Sequence, residues 1–64
     1  SRTERTAIME AKRIIDGQLA FAPSCEELSS MVHLSMTKLT RGFSAFYGMS
    51  IHQYIIEQLL ALGA

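Results

Sequence analysis

The sequence predicts an all-α domain, a small orthogonal bundle of four helices, and three observations lead there. Apolar residues recur at steps of three and four along four stretches, which is the spacing of one helix face. Ser24, Ser35 and Ser50 stand just ahead of three of these stretches, where a helix needs a side chain to accept its free N–H groups. No alternating apolar and polar run of the kind that makes a half-buried strand competes with them.

The first helix is predicted from about Glu4 to Asp16. Ile8, Ala11, Ile15 and Leu19 form its apolar stripe, Glu10, Lys12 and Arg13 occupy the remaining surface, and Gly17 ends it. Gln18 to Pro23 reads as a connector. Ser24 and Glu27 then have the spacing of a capping box, which opens a second helix barely two turns long, ending at about Val32. Leu28, Met31 and Val32 are its core-facing residues. A helix this short depends on its neighbours for stability.

After His33 and Leu34, Ser35 caps a third helix predicted from Met36 to Tyr47. Leu39, Phe43 and Phe46 define its buried face, and Gly48 closes it. Ser50 caps a fourth, which carries Ile51, Tyr54, Ile55 and Leu62 and is expected to continue to the end of the chain. No repeat or linker-like stretch divides residues 1–64, so a single domain is expected. At 64 residues it buries only about 60% of its unfolded surface, and its stability is expected to be marginal.

Composition narrows the function classes. With 48% hydrophobic and 19% charged residues the chain is globular in character and not disordered. Cys25 is the single cysteine, which excludes an internal disulfide and suits a reducing compartment. Neither a membrane-spanning apolar run nor a signal-peptide pattern is present, so a soluble, cytoplasmic protein is expected. The formal net charge of zero conceals an asymmetry: of the six acids only Glu57 follows Glu27. Between Leu28 and Ile56 there is no carboxylate, while Lys38 and Arg41 lie there with His33 and His52. That segment is locally positive, as an approach to phosphates requires.

Two short helices joined by a brief turn, the second opened by a capping serine, have the layout of a helix-turn-helix DNA reader of the homeodomain-like kind. Leu28, Met31, Val32 and Leu34 must pack against Leu39 and Phe43 for the opposite face of the third helix to project outward. That face carries Ser35, Thr37, Lys38, Thr40, Arg41 and Ser44, which are the expected DNA-binding residues. Arg41 has the planar fork that fits guanine O6 and N7, and Thr37 and Thr40 suit base edges or a thymine methyl. Lys38 and Ser35 suit phosphates. Any amphipathic surface helix shows a similar polar face, so composition by itself favours a plain solvent face, and it is the helix-turn-helix spacing that points to DNA.

From Ser24 to Tyr54 the chain resembles the first helix-turn-helix subdomain of the AraC/XylS transcription regulators. The matching residues are Pro23-Ser24-Cys25-Glu26-Glu27-Leu28, Val32-His33-Leu34-Ser35, Leu39-Thr40-Arg41-Gly42-Phe43, Phe46-Tyr47-Gly48-Met49-Ser50-Ile51 and Tyr54-Ile55. Ile8, Ala11 and Ile15 fit the preceding helix of that family. The resemblance implies sequence-specific binding to double-stranded DNA in bacterial transcription regulation, with Thr37, Thr40 and Arg41 at base-contacting positions and Ser35 and Lys38 at backbone-contacting ones. It further implies a larger regulator, with a second helix-turn-helix and a regulatory domain as partners of this unit in the same protein.

The chain departs from the family at His33, where glycine is usual in the turn, and at Leu59, where arginine is frequent in the linker helix. Histidine tolerates a left-handed backbone better than a β-branched residue does, so the turn is expected to survive. Ile55, Ile56, Leu59, Leu60 and Leu62 make the fourth helix apolar on more than one face. The alternative reading is therefore a helical protein-interaction or dimerisation module, with self-association through that helix.

No catalytic residues, metal ligands or cofactor are expected. His33 and His52 stand on different elements without nearby cysteine or paired carboxylates, and nothing orders a serine, a histidine and an aspartate into a triad. Cys25 and the four methionines read as packing residues, and Phe43, Phe46 and Tyr54 as core.

Overall fold

A computed structural model describes residues 3–63 and is all-helical over them. Helix α1 spans Glu4–Gly17, a 3-10 turn covers Leu19–Phe21, and α2 (Cys25–Val32), α3 (Met36–Tyr47) and α4 (Ile51–Ala61) follow. The first three α-helices pack on one another, and α4 lies against the 3-10 turn and α3.

Each helix begins as its local sequence dictates. Thr3, Ser24, Ser35 and Ser50 all have extended backbones, and their side chains accept the N–H groups of Thr6, Glu27, Lys38 and Gln53. At Ser24 the arrangement is reciprocal, because the Glu27 carboxylate accepts the Ser24 N–H at 3.0 Å. This is the expected capping box, worth about 1 kcal/mol to a helix of eight residues.

The helix ends are more varied. His33 adopts φ 60° and ψ 40°, in the left-handed region. Its N–H bonds to Ser30 O at 3.4 Å, and the Leu34 N–H reaches Ser29 O at 3.0 Å, which together form a Schellman closure of α2. Gly48 closes α3 at φ 75°, as expected. Gly17 behaves otherwise. It remains inside α1, and the chain leaves the helix through Gln18 at φ −144° before tightening into the 3-10 turn. The fourth helix stops at Ala61 and does not continue to the chain end, because Leu62 caps it and Gly63 turns left-handed at φ 81°. Ala64 lies outside the described residues.

The core is contributed by Ala7, Ile8, Ala11 and Ile15 of α1, Leu28 and Val32 of α2, Leu39 and Phe43 of α3, and Ile51 and Tyr54 of α4. These follow the expected stripes, with Ala7 as an addition. Leu19, Leu34 and Ile55 pack at its edge. Three expected core residues lie elsewhere: Met31 and Phe46 are about half exposed, and Leu62 is 70% exposed. Phe46 lines an open groove of about 580 Å³ between α1 and α3, together with Arg5, Met9, Ala45 and Tyr47. Met31 falls on the outer side of a helix too short to bury two faces. Met9 and Met36 are also about half exposed, so only Met49 among the methionines packs against the core.

Candidate nucleic-acid interface

The α3 helix is held by its inner face. Leu39 and Phe43 have no exposed surface, and Phe43 sits in an aromatic cluster with its centroid 4.7 Å from Tyr47 and 5.6 Å from Tyr54. Burying a side chain of this size stabilises by roughly 1.5–3 kcal/mol. On the α1 side, Gly42 lets the two helices approach closely. A Cβ at that position would lie 2.0 Å from Ile8 Cδ1, so the absence of a side chain sets the spacing.

With Leu39 and Phe43 inward, the helical repeat of 3.6 residues orients the remaining side chains. Thr37, Arg41 and Ser44 stand at i, i+4 and i+7 and form one outward row; all three are exposed. Among the described residues no side-chain hydrogen bond, ion pair or ring contact engages Thr37, Arg41 or Ser44. The row is free to meet a partner.

The other expected residues flank it. Thr40 lies to one side, and its hydroxyl donates back to the helix, to Met36 O at 2.9 Å and Thr37 O at 3.2 Å. Its hydrogen is thereby committed, leaving an acceptor lone pair and a methyl group to face outward. Ser35 Oγ accepts the Lys38 N–H at 3.2 Å and keeps its own hydrogen available. Lys38 lies on the flank shared with Gly42, next to α1.

Tertiary packing adds one residue that the sequence reading of this face did not include. Glu4, at the first position of α1, places Oε2 3.9 Å from Lys38 Nζ, with both side chains about 60% exposed. The helix contacts explain it: Glu4 precedes Ile8 by one turn, Lys38 precedes Gly42 by one turn, and Ile8 meets Gly42. The signal was in the sequence as an apolar stripe facing a small residue, but reading it required the relative direction of α1 and α3.

A second polar cluster joins α1 to α4. Lys12 Nζ lies 2.9 Å from Asp16 Oδ2 and 5.5 Å from the centroid of the Tyr54 ring, and the Tyr54 hydroxyl donates to Asp16 Oδ1. Burial is the largest single influence on the Asp16 carboxyl and pushes it up, yet the bonds from Tyr54 and Lys12, with the Lys12 charge, together hold it below 3.8. Burial and the Asp16 bond raise the Tyr54 phenol above 10.0. His33 and His52 stand apart on α2's closing turn and α4, and among the described residues no group of three or more His, Cys, Asp or Glu gathers to hold a metal.

Fold and surface together define a small all-helical bundle whose third helix presents to solvent a polar face with no carboxylate of its own, bordered by Glu4 of α1. Comparison with known protein families, with curated proteins and with solved structures finds no match to this chain. Among the described residues no helix is long and apolar enough to cross a membrane.

Proposed function

We propose that this chain is a sequence-specific reader of double-stranded DNA acting in transcription regulation, with α3 lying in the major groove. The observation that carries the reading is the outward row of Thr37, Arg41 and Ser44 on a helix locked from behind by Leu39, Gly42 and Phe43. An α-helix fits the major groove, and a rigid one holds its side chains in register with base edges. Arg41 is the base reader, bidentate to guanine. Thr37 and Ser44 extend the contact along the same row, and Thr40 supplies an acceptor and a methyl for thymine. Lys38 and Ser35 take phosphates and fix the docking register.

Lys38 and Arg41 are exposed, and neither pairs with Glu26 or Glu27; the one acid beside Lys38 is the exposed Glu4, and Arg41 has no ion pair among the described residues, which favours a nucleic-acid surface over a closed salt-bridge network. With the AraC/XylS resemblance, this supports a cytoplasmic transcription regulator in which a second helix-turn-helix and a regulatory domain are further partners. The role needs neither catalytic residue nor cofactor.

Selection of duplexes from a random pool, followed by binding anisotropy on the winners, tests the reading. Arg41→Ala is expected to lose about 1–3 kcal/mol of discrimination at one or two base pairs, while Lys38→Ala weakens binding uniformly and lowers the salt slope by about 1. An Arg41→Ala protein with the selected preferences intact would remove α3 from the groove.

A second reading rests on the apolar end of α4, where Leu60 and Leu62 are 66% and 70% exposed. Such a surface suits a helical interaction or dimerisation module. Sedimentation of the chain beside Leu60→Ser separates the two: a dimer that dissociates in the variant supports the module, and a monomer throughout removes it.

A further inference from the structure

The carboxylate beside Lys38 changes what the α3 surface does to DNA in general. We propose that Glu4 is a built-in brake on non-specific phosphate attraction, acting by holding the Lys38 ammonium; this rests on the DNA-binding reading of α3.

Lys38 is the only cation on α3 apart from Arg41, and it lies at the edge of the reading face that borders α1. Sequence-independent affinity for a duplex comes from such cations displacing counterions at phosphates. Glu4 Oε2 stands 3.9 Å from Lys38 Nζ, so an incoming phosphate must take the ammonium from a carboxylate already beside it. Once it does, Glu4 remains next to the phosphate and repels it. Arg41, one row away and without an acidic partner among the described residues, is not restrained in this way. The geometry therefore lowers the contact that carries no sequence information and leaves the one that does, raising the ratio of specific to non-specific binding.

Glu4 is positioned for this by α1 itself. Thr3 caps the helix through the Thr6 N–H, which fixes the first turn, and the Ile8–Gly42 approach fixes how far that turn stands from α3. An acid in a first turn also complements the helix dipole, which is the purely structural role of such a residue. The two roles separate experimentally, since the dipole acts on stability and the brake acts on DNA.

The test is a double-mutant cycle of Glu4→Gln and Lys38→Met in the chain, read by anisotropy on a mixed-sequence duplex of about 20 base pairs, two helical turns. The pair is exposed and hence weak, so Glu4→Gln is expected to tighten this binding about threefold at low salt. The gain should shrink as salt rises and should fall to less than half in the Lys38→Met background. Circular dichroism checks that all four proteins are folded. Equal gains with and without Lys38 would make Glu4 a simple repelling charge and overturn the proposal. Unchanged binding in Glu4→Gln, with Arg41→Ala still weakened on its selected duplex, would overturn the brake and leave the DNA-binding reading standing. No binding by any of the proteins to either duplex overturns both.

Discussion

The Tyr54 hydroxyl donates to the Asp16 carboxylate, joining α4 to the last turn of α1 across 38 positions of sequence. Lys12 completes the arrangement by binding the other carboxylate oxygen and lying over the Tyr54 ring. A ring that is 7% exposed thus keeps its polar tip satisfied at the rim of the core. The bond ties to α1 the face of α4 that carries Tyr54, the same face that Ile51 buries in the core.

The same bond sets the pH dependence of stability. Asp16 is held below its ordinary 3.8, so its contribution is present above that value and is lost as pH falls through the folded-state value. Tyr54 is raised above 10.0 by burial and by Asp16, and Lys12 above 10.5 chiefly by its bond to Asp16; their contributions are complete below those values and are lost as pH rises through the folded-state ones. Urea titrations across pH are expected to give a plateau with an acid and an alkaline limb. Asp16→Asn should flatten the acid limb, and Tyr54→Phe should cost about 1 kcal/mol on the plateau. With side chains 34% and 40% exposed, the Lys12–Asp16 pair itself contributes less than about 1 kcal/mol.

His33 carries the left-handed turn between α2 and α3 at φ 60°. An L-residue with a side chain is disfavoured there by roughly 1–2 kcal/mol, and glycine is not, although glycine has more freedom to lose from the unfolded chain. His33→Gly is expected to gain about 0.5 kcal/mol in urea denaturation. His33→Val should lose at least 1 kcal/mol (~1–2), because a β-branched side chain fits this backbone poorly.

Gly42 and Ile8 are expected to be strongly coupled. The Cβ of Gly42→Ala would meet Ile8 Cδ1 and come within 3.2 Å of Cγ1, so the Ile8 side chain, buried in the core, must shift. Overpacking of about 1–3 kcal/mol should exceed the gain in helix propensity of about 1 kcal/mol, for a net loss near 1 kcal/mol. Ile8→Val removes Cδ1. By itself it should cost about 0.5–1.5 kcal/mol. In the Gly42→Ala background it should cost nothing or stabilise. Additive losses would show that α1 and α3 are not in the contact described.

Phe43 and Phe46 test the boundary of the core. Phe43→Ala removes a fully buried ring and should cost about 3–5 kcal/mol, enough to unfold most of a domain this small. Phe46→Ala, at a ring 47% exposed beside the α1 groove, should cost less than about 1.5 kcal/mol by thermal unfolding. Similar losses at the two positions would place the groove inside the core.

What the sequence determined by itself was local. Ser24 with Glu27, Ser35, Ser50, His33 and Gly48 act through backbone groups within a few residues, so the start of α2, all of α3 and the start of α4 were legible from their own caps. The stripe of Ile8, Ala11 and Ile15, and the pair Leu39 and Phe43, were legible because a helix repeats every 3.6 residues wherever it sits. The outward positions of Thr37, Arg41 and Ser44 followed from the same repeat.

Only the tertiary structure decided between faces that were locally equivalent. Phe46 continues the stripe of Phe43, yet it ends at an open groove because the packing of α1 does not reach it. Leu62 matches the spacing of Tyr54 and Ile55, yet it lies past the last helical residue, Ala61, just before Gly63 turns the chain. The Glu4–Lys38 and Asp16–Tyr54 contacts depend on the separation and direction of helices joined by long stretches of chain. Burial and pairing are properties of two surfaces together, and a single stretch of sequence specifies only one of them.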